Sequence, residues 1–315
     1  MSDKSAPNIR LADEPARTAA AALLREGKLV ALPTETVYGL AARADSEAAV
    51  AGIYRAKGRP DFNPLIVHVP SLAAAEAIAQ FDDRARVLAR AFWPGPLTLV
   101  LPLREGTGIA PAVTAGLPTI ALRCPAHPVM QAVLAESGLP LAAPSANRSG
   151  AVSPTSAAHV AASLGAAVDL ILDGGSTARG IESTIVALRE NGWALLRPGP
   201  VTEQQITEIL GESLGGLTSS GKIEAPGQLA SHYAPGKPVR LGAEQAAADE
   251  FHIGFGPIAG DVTLSEQGDL AEAAARLYAC LHWAAAAKQP RVAIAPVPDS
   301  GIGAAINDRL RRAAA

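Results

Sequence analysis

Short apolar runs closed by Pro, Gly or Ser alternate along this chain with longer stretches in which Ala and Leu recur at helical spacing. The pattern predicts a helix over 13–27, capped by Asp13 and stopped by Gly27, then a strand Lys28–Leu32 ended by Pro33. Ser46 and Glu47 open a second helix. Gly58 and Pro60 break it, which predicts that Arg55, Lys57, Arg59 and Asp61 sit on a turn. Pro64 starts a buried strand, Leu65–Val69, carrying His68. Helices are expected at Ser71–Gln80 and Asp82–Phe92, ended by Trp93-Pro94-Gly95-Pro96, with a strand at Leu97–Leu103 and a long loop over 104–117. Strand Pro118–Cys124 puts Thr119, Ala121 and Arg123 on one face, because strand side chains alternate. A helix from His127 to Gly138, strand Leu139–Ala143, helix Thr155–Leu164 and strands Val168–Leu172, Thr184–Leu188 and Trp193–Leu196 follow.

Periodicity is lost from about Gly211 to Pro238, where Gly, Ser and Pro crowd together, and it resumes with strands Val239–Leu241 and Phe251–Phe255, a helix 269–287, strand Arg291–Pro296 and a helix 303–314. The expected organisation is therefore a large α/β domain over 1–212, a linker over 213–237 and a small α/β domain over 238–315. This second domain shows no charged constellation of its own.

Composition narrows the class. The chain is 49% hydrophobic but only 4% aromatic, as expected of an Ala/Leu/Val-rich α/β protein of 315 residues. No run reaches the roughly 20 apolar residues that cross a membrane, and the N-terminus lacks the apolar core of a secretory signal. Cys124 and Cys280 are too few for a disulfide framework, so a cytoplasmic location and no membrane partner are expected. A formal net charge of −3 argues against bulk electrostatic binding of nucleic acid, while leaving room for a local basic cleft.

Candidate chemistry gathers just past the strand ends. Thr34, Glu35 and Thr36 follow the first strand; Lys57, Arg59 and Asn63 precede the strand carrying His68. Arg123 ends another strand, Ser145 and Asn147 follow a further one, and a glycine-rich turn leads to Glu182, Ser183 and Thr184. Such an arrangement makes one pocket from several strand ends. Lys57 is the only lysine between Lys28 and Lys222, and a cationic turn with Arg and Lys suits an anionic ligand. The same turn suits equally a surface site braced by salt bridges, and Thr34–Thr36 suit equally the capping of the next turn. Arg123 ends an apolar strand and needs an anion or carbonyl partner. Ser145 lacks a Gly-x-Ser-x-Gly setting and reads as a ligand donor, not a nucleophile. The six histidines are scattered, without metal-ligand spacing. Gly216–Lys222 imitates a phosphate loop but ends in Ile223, and Gly254-Phe255-Gly256 with Gly260 is out of register for a dinucleotide fingerprint.

The segments PTETVYGL (33–40), KGRPDFNPLIVH (57–68), WPGPLTLVL (93–101), TIALRCPAHP (119–128), APSAN (143–147), GGSTARGIESTIV (174–186) and LLRPGP (195–200) resemble those of the YrdC-like L-threonylcarbamoyladenylate synthases. SHYAPGKPVRL (231–241) and GIGAAINDRLRRA (301–313) look like the long form with a C-terminal extension. The resemblance implies a YrdC-like twisted mixed sheet with flanking helices, plus a small Rossmann-like α/β C-terminal domain. The implied reaction joins L-threonine, bicarbonate and ATP, with Mg²⁺, into threonylcarbamoyl-AMP and pyrophosphate. A tRNA threonylcarbamoyl transferase complex would accept the product, with a weak RNA contact as a further expectation. Carried over by motif, Thr36, His68, Arg123, Ala143 and Ser183 would hold L-threonine. Arg59, Asn63, Thr119, Ser145, Asn147, Ser153, Arg197 and Tyr233 would hold ATP. Lys57 and Arg59 would neutralise charge at the reacting phosphate; Mg²⁺ would come through the ATP phosphates, with no protein ligands. The small domain would act as a lid that holds Tyr233 over the nucleotide. The rival readings are a carbamoyl-adenylate-forming enzyme and an RNA-binding module.

Overall fold

Side-chain caps fix where many of the helices begin in the computed structural model, which describes residues 7–60, 63–213, 224–227 and 232–315. Asp13, Ser46, Ser71, Asp82, Ser156 and Asp269 each accept a backbone N–H three residues on, which satisfies a donor that the first helical turn leaves unpaired. His127 Nδ1 accepts the Val129 N–H, two residues on, at the helix it was expected to start.

The first part of the chain runs β1 (Ile9–Leu11), α1 (Glu14–Arg25), β2 (Val30–Leu32), β3 (Gly39–Arg43), α2 (Glu47–Lys57), β4 (Ile66–His68), α3 (Leu72–Glu76), α4 (Asp83–Phe92) and β5 (Leu97–Pro102). It continues through α5 (Pro111–Thr114), β6 (Thr119–Arg123), α6 (Pro128–Ser137), β7 (Leu141–Ala142), α7 (Ala157–Leu164), β8 (Leu170–Asp173), β9 (Thr184–Arg189), β10 (Gly192–Arg197) and α8 (Glu203–Leu210). These ten strands form one mixed sheet in the order β1-β8-β2-β3-β7-β4-β6-β5-β9-β10. Helices cover it with separate apolar layers, one under α1 and α6 through Leu24, Met130 and Leu134, another under α2, α4 and α7 through Ile53, Leu88 and Val160. The order brings β4, β6 and β7 together near the middle and sets His68 opposite Arg123.

A second, four-stranded sheet contains β11 (Val239–Leu241), β12 (Glu250–Gly254), β13 (Val262–Thr263) and β14 (Arg291–Ile294) in the order β11-β14-β12-β13, all parallel. Helices α9 (Leu270–Ala286) and α10 (Ile302–Ala313) pack with it. Gly180, on the loop before β9, lies so close to α9 that a Cβ there would sit 2.3 Å from the Ala274 carbonyl oxygen. The helix layer of the small sheet therefore presses directly on a loop of the large one.

Three expectations need correction. Arg55 and Lys57 belong to the last turn of α2, with Gly58 as its left-handed cap (φ 57°), and Lys57 is buried. The helix expected at Ser71–Gln80 stops at Glu76, because Gln80 N–H binds the Pro102 carbonyl and Ala79 bridges to Leu103. Strands β1, β3 and β13 and helices α5 and α8 escaped the pattern analysis; all but α8 are five residues or shorter. Asp61, the phosphate-loop lookalike Gly216–Lys222, and Ser231 lie outside the described residues.

Candidate active site

The strand ends enclose a small cavity of about 50 Å³. Thr36 enters it from the turn after β2, His68 and Arg123 from the ends of β4 and β6, Ala143 and Ser145 from the turn after β7, and Ser183 from the loop before β9. Arg59, Arg197 and Tyr233 complete the wall, so all five residues expected around threonine and four of those expected around ATP line one space. Lys57, Asn63, Thr119, Asn147 and Ser153 stand outside this lining. Lys57 Nζ donates to the carbonyls of Ser145 and Asn147, both at 2.5 Å, bracing the Ser145 turn from below. Asn63 and Pro64 offer carbonyls to Arg59 at 3.3 and 3.1 Å. Thr119 opens β6 two residues before the Ile66–Ala121 pair, level with Pro64. Asn147 Nδ2 is tied to the Arg148 and Ala151 carbonyls, and Ser153 Oγ donates to Glu182 at 2.6 Å.

Arg123 has the partner its position demands. Its Nη2 meets Glu35 Oε1 at 2.5 Å, Nη1 donates to Thr36 Oγ1 at 2.9 Å, and Nε donates to the Gly95 carbonyl at 3.2 Å. The other Glu35 oxygen accepts the Ala126 N–H at 3.0 Å. Burial raises the Glu35 pKa, but the charge and hydrogen bond of Arg123 outweigh it and leave the carboxyl below its ordinary value. Thr34 and Thr36 hydroxyls lie 2.9 Å apart, extending the network along the turn.

Arg59, Arg197 and Lys57 are different. Arg197 donates to the Ser183 carbonyl and hydroxyl at 3.0 and 3.1 Å and to the Pro226 carbonyl. The side-chain hydrogen bonds of these three cations end on carbonyl and hydroxyl oxygens. Burial pulls the Arg59 pKa down to about 10 and the Lys57 pKa well below its ordinary value. Several buried polar atoms here lack a partner: Arg59 Nε, Asn63 Oδ1, His68 Nδ1, Asn147 Oδ1 and His232 Nδ1. Buried polar atoms are normally paired, and those on Arg59, His68 and His232 belong to residues that line the cavity, which marks a space shaped for a ligand. Burial lowers the His68 pKa to about 3, so its imidazole is neutral.

Five residues of the site have no place among the expected ligands. Glu182 is buried and accepts from Ser153, from Tyr278 Oη at 2.7 Å and from Arg309 Nε at 3.0 Å. Burial raises its pKa, yet Arg309 and Arg197 hold it down to about 2. Arg309, fully buried on α10, also donates to the Pro198 carbonyl at 2.8 Å and lies 5.5 Å from the Tyr233 ring centroid, a cation–π distance. The expectation that the small domain carries no charged constellation is thus corrected: Arg309 and Tyr278 leave it to grip Glu182. His232 and Gly227 close the cavity beside Tyr233, which adopts φ +64°, unusual for a tyrosine. A Cβ on Gly227 would meet Arg197 at 2.9 Å and the Tyr233 hydroxyl at 3.1 Å.

With this geometry in view, comparison with known proteins is informative. Residues 22–199 match the family described as Telomere recombination, and residues 201–315 match the one described as Threonylcarbamoyl-AMP synthase, C-terminal domain. The Bacillus subtilis threonylcarbamoyl-AMP synthase is 41% identical over 96% of this chain and 94% of its own length. The Pyrococcus abyssi enzyme of the same name is 49% identical over 69% of this chain and 64% of its own length. The crystal structure of P. abyssi Sua5 complexed with L-threonine superposes with a TM-score of 0.88 at 37% identity, covering 98% of this chain and 97% of the other. The strand-end cavity, the second parallel sheet and these likenesses over nearly the whole length agree, and the chain belongs to the threonylcarbamoyl-AMP synthase family.

Proposed function

We propose that this protein is a nucleotidyltransferase that makes threonylcarbamoyl-AMP and pyrophosphate from L-threonine, bicarbonate and ATP, for N6-threonylcarbamoyladenosine modification of tRNA. The observation that carries the reading is the pair of buried guanidiniums, Arg59 and Arg197, facing one cavity with neutral partners. Glu182, the carboxylate in the same lining, is shared with Arg309, so positive charge stays in excess, and a polyphosphate would relieve the cost of burying it. Beside them, Arg123, Thr36, Ser183 and neutral His68 offer the donors and acceptor that an amino acid needs.

In this scheme the threonine amine attacks the carbon of bicarbonate, and a carbamate forms with loss of water. A carbamate oxygen then attacks the α-phosphorus; the bond between that phosphorus and the bridging oxygen breaks, and pyrophosphate leaves. This scheme needs no nucleophile from the protein, whose contribution is orientation and charge stabilisation. Among the described residues no group of three His, Cys, Asp or Glu side chains could hold a metal ion, and Glu182 is already committed to Arg309. In this scheme Mg²⁺ belongs to the substrate, bound to the ATP phosphates.

The cavity of about 50 Å³ is far below the roughly 300–1,000 Å³ of ordinary ligand pockets. ATP therefore enters after Tyr233, His232 and Gly227 move aside, and their return excludes water, which gives the linker and small domain the role of a lid. The product is a mixed anhydride, so its consumer is an acyl transferase, here the tRNA threonylcarbamoyl transferase complex, with a weak RNA contact at most. No helix among the described residues is long and apolar enough to cross a membrane, and the cytoplasm is proposed from the ATP and tRNA substrates.

The test is pyrophosphate release from ATP and Mg²⁺ with L-threonine and bicarbonate omitted in turn. Release that needs both supports the reading; release that needs neither, or that needs carbamoyl phosphate, overturns it.

A further inference from the structure

The two ends of the cavity treat positive charge differently. Arg59 and Arg197 meet it with neutral carbonyl and hydroxyl oxygens, whereas Arg123 is paired with a carboxylate at 2.5 Å. That carboxylate, Glu35, does not line the cavity, although Thr34 and Thr36 on either side of it do. It grips Arg123 from behind, and its second oxygen is itself fixed by the Ala126 N–H. Both side chains are largely buried, at 5% exposure for Arg123 and 12% for Glu35, so solvent screens the pair little.

We infer that Glu35 is a specificity-determining residue, which holds the Arg123 guanidinium in place and cancels its charge so that this end of the cavity takes a zwitterion and refuses a polyanion. The inference rests on the proposed reading that Arg123 receives the threonine carboxylate. A free amino acid carries a carboxylate and an ammonium. Its carboxylate takes the cavity-facing N–H groups of Arg123, while its ammonium offsets the repulsion from Glu35. A phosphate chain brings several negative charges and nothing to offset them. It is driven toward Arg59 and Arg197, where the one carboxylate, Glu182, is already paired with Arg309 and the cations remain in excess. The pair thus sorts two anionic ligands that share one small space, by a repulsive element placed behind an attractive one.

Glu35→Gln separates the two roles, because glutamine still offers Arg123 an acceptor but removes the charge. L-threonine binding is measured calorimetrically, without ATP, in the absence and presence of inorganic pyrophosphate. In the unmodified protein, pyrophosphate should leave threonine affinity within about twofold, because like-charge juxtaposition keeps it out of the amino-acid end. In E35Q it should compete, weakening threonine binding about tenfold, since that repulsion is gone. Glu35→Asp keeps the charge at shorter reach and should keep pyrophosphate from competing even if threonine binds more weakly. Independence of threonine and pyrophosphate in E35Q, or competition in the unmodified protein, overturns the inference. Arg123→Ala tests the underlying reading separately: unchanged threonine affinity there would remove Arg123 from the amino-acid site, whatever E35Q does.

Discussion

Arg197 touches three oxygens that all belong to neutral groups, and its geometry argues for recognition of a forked anion. Replacing it by lysine keeps the charge but loses the fork. Hydrogen bonds to charged groups are worth roughly 1.5–3 kcal/mol, so R197K should raise the KM for ATP about 10- to 100-fold in a steady-state assay while moving that for threonine far less. Gly227→Ala should hurt the same parameter, because the new methyl group would strike Arg197 and Tyr233. Selection against serine rests on one methyl group among Val37, Ile66 and Ala143. That is worth about 1–3 kcal/mol, so kcat/KM for serine should fall only about 10- to 200-fold below threonine. A ratio of many thousands in a substrate-competition assay would contradict this picture. Much of this scale was legible: Thr36, His68, Arg123, Ser183 and Arg197 stand where apolar runs end, and strand ends converge. The partner of Arg123 was not legible, because Glu35 and Arg123 are far apart in the chain and only the sheet brings them together.

At the level of elements, α10 shows what a pattern analysis can miss and why. Its apolar face repeats at Ile302, Ala305, Ile306, Leu310 and Ala313, and Arg309 falls on that same face. A charge at a core position of a regular repeat is a signal for a buried partner, although the local pattern alone reads as an ordinary amphipathic helix. The partner, Glu182, lies on the other sheet's loop, where sequence spacing has no bearing. Breaking such a buried pair costs about 3–5 kcal/mol, so Arg309→Ala should lower the unfolding midpoint clearly. Arg309→Met, which fills the space without the charge, should recover part of that stability in a thermal melt, yet leave Glu182 without Arg309 and Tyr233 without its cation. ATP use should stay impaired in both variants. Lys57 teaches a related point: Gly58 ends the helix as expected, but the helix keeps Arg55 and Lys57 in its last turn, and Lys57 is a buried brace, not a turn cation.

Across the whole molecule, burial sets the response to acid. His68 and His232 have pKa values lowered to about 3 by burial, against an ordinary 6.5. The unfolded chain therefore binds more protons than the folded one between pH 6.5 and about 3. Stability is fully present above pH 6.5 and falls as pH drops through that window, by up to about 1.4 kcal/mol per pH unit for each group. Melting curves from pH 7.5 to 4.5 should show this decline, and a H68Q H232Q double variant should flatten it. The alternation of apolar runs and helical stretches made the α/β class legible, as well as the restart of regular structure after Pro238. Strand order was not, since β1 pairs with β8 and β3 with β7 far along the chain, as Ile9 with Ile171 and Arg43 with Leu141, and no local pattern records such partners.

That long-range pairing also sets when the enzyme comes into being. β2 can fold back on β3 early, but its other neighbour, β8, and the partner of β1 are the same distant segment at Leu170–Asp173. At about 5–20 residues per second, a ribosome needs roughly 10–30 s to reach it. The tyrosine that covers the cavity and the arginine that steadies it lie later still, at 233 and in the final helix. On the proposed reading, a growing chain that has not reached Arg309 has no arginine to hold Tyr233 and Glu182, so the cavity gains its cover only after the large sheet can close.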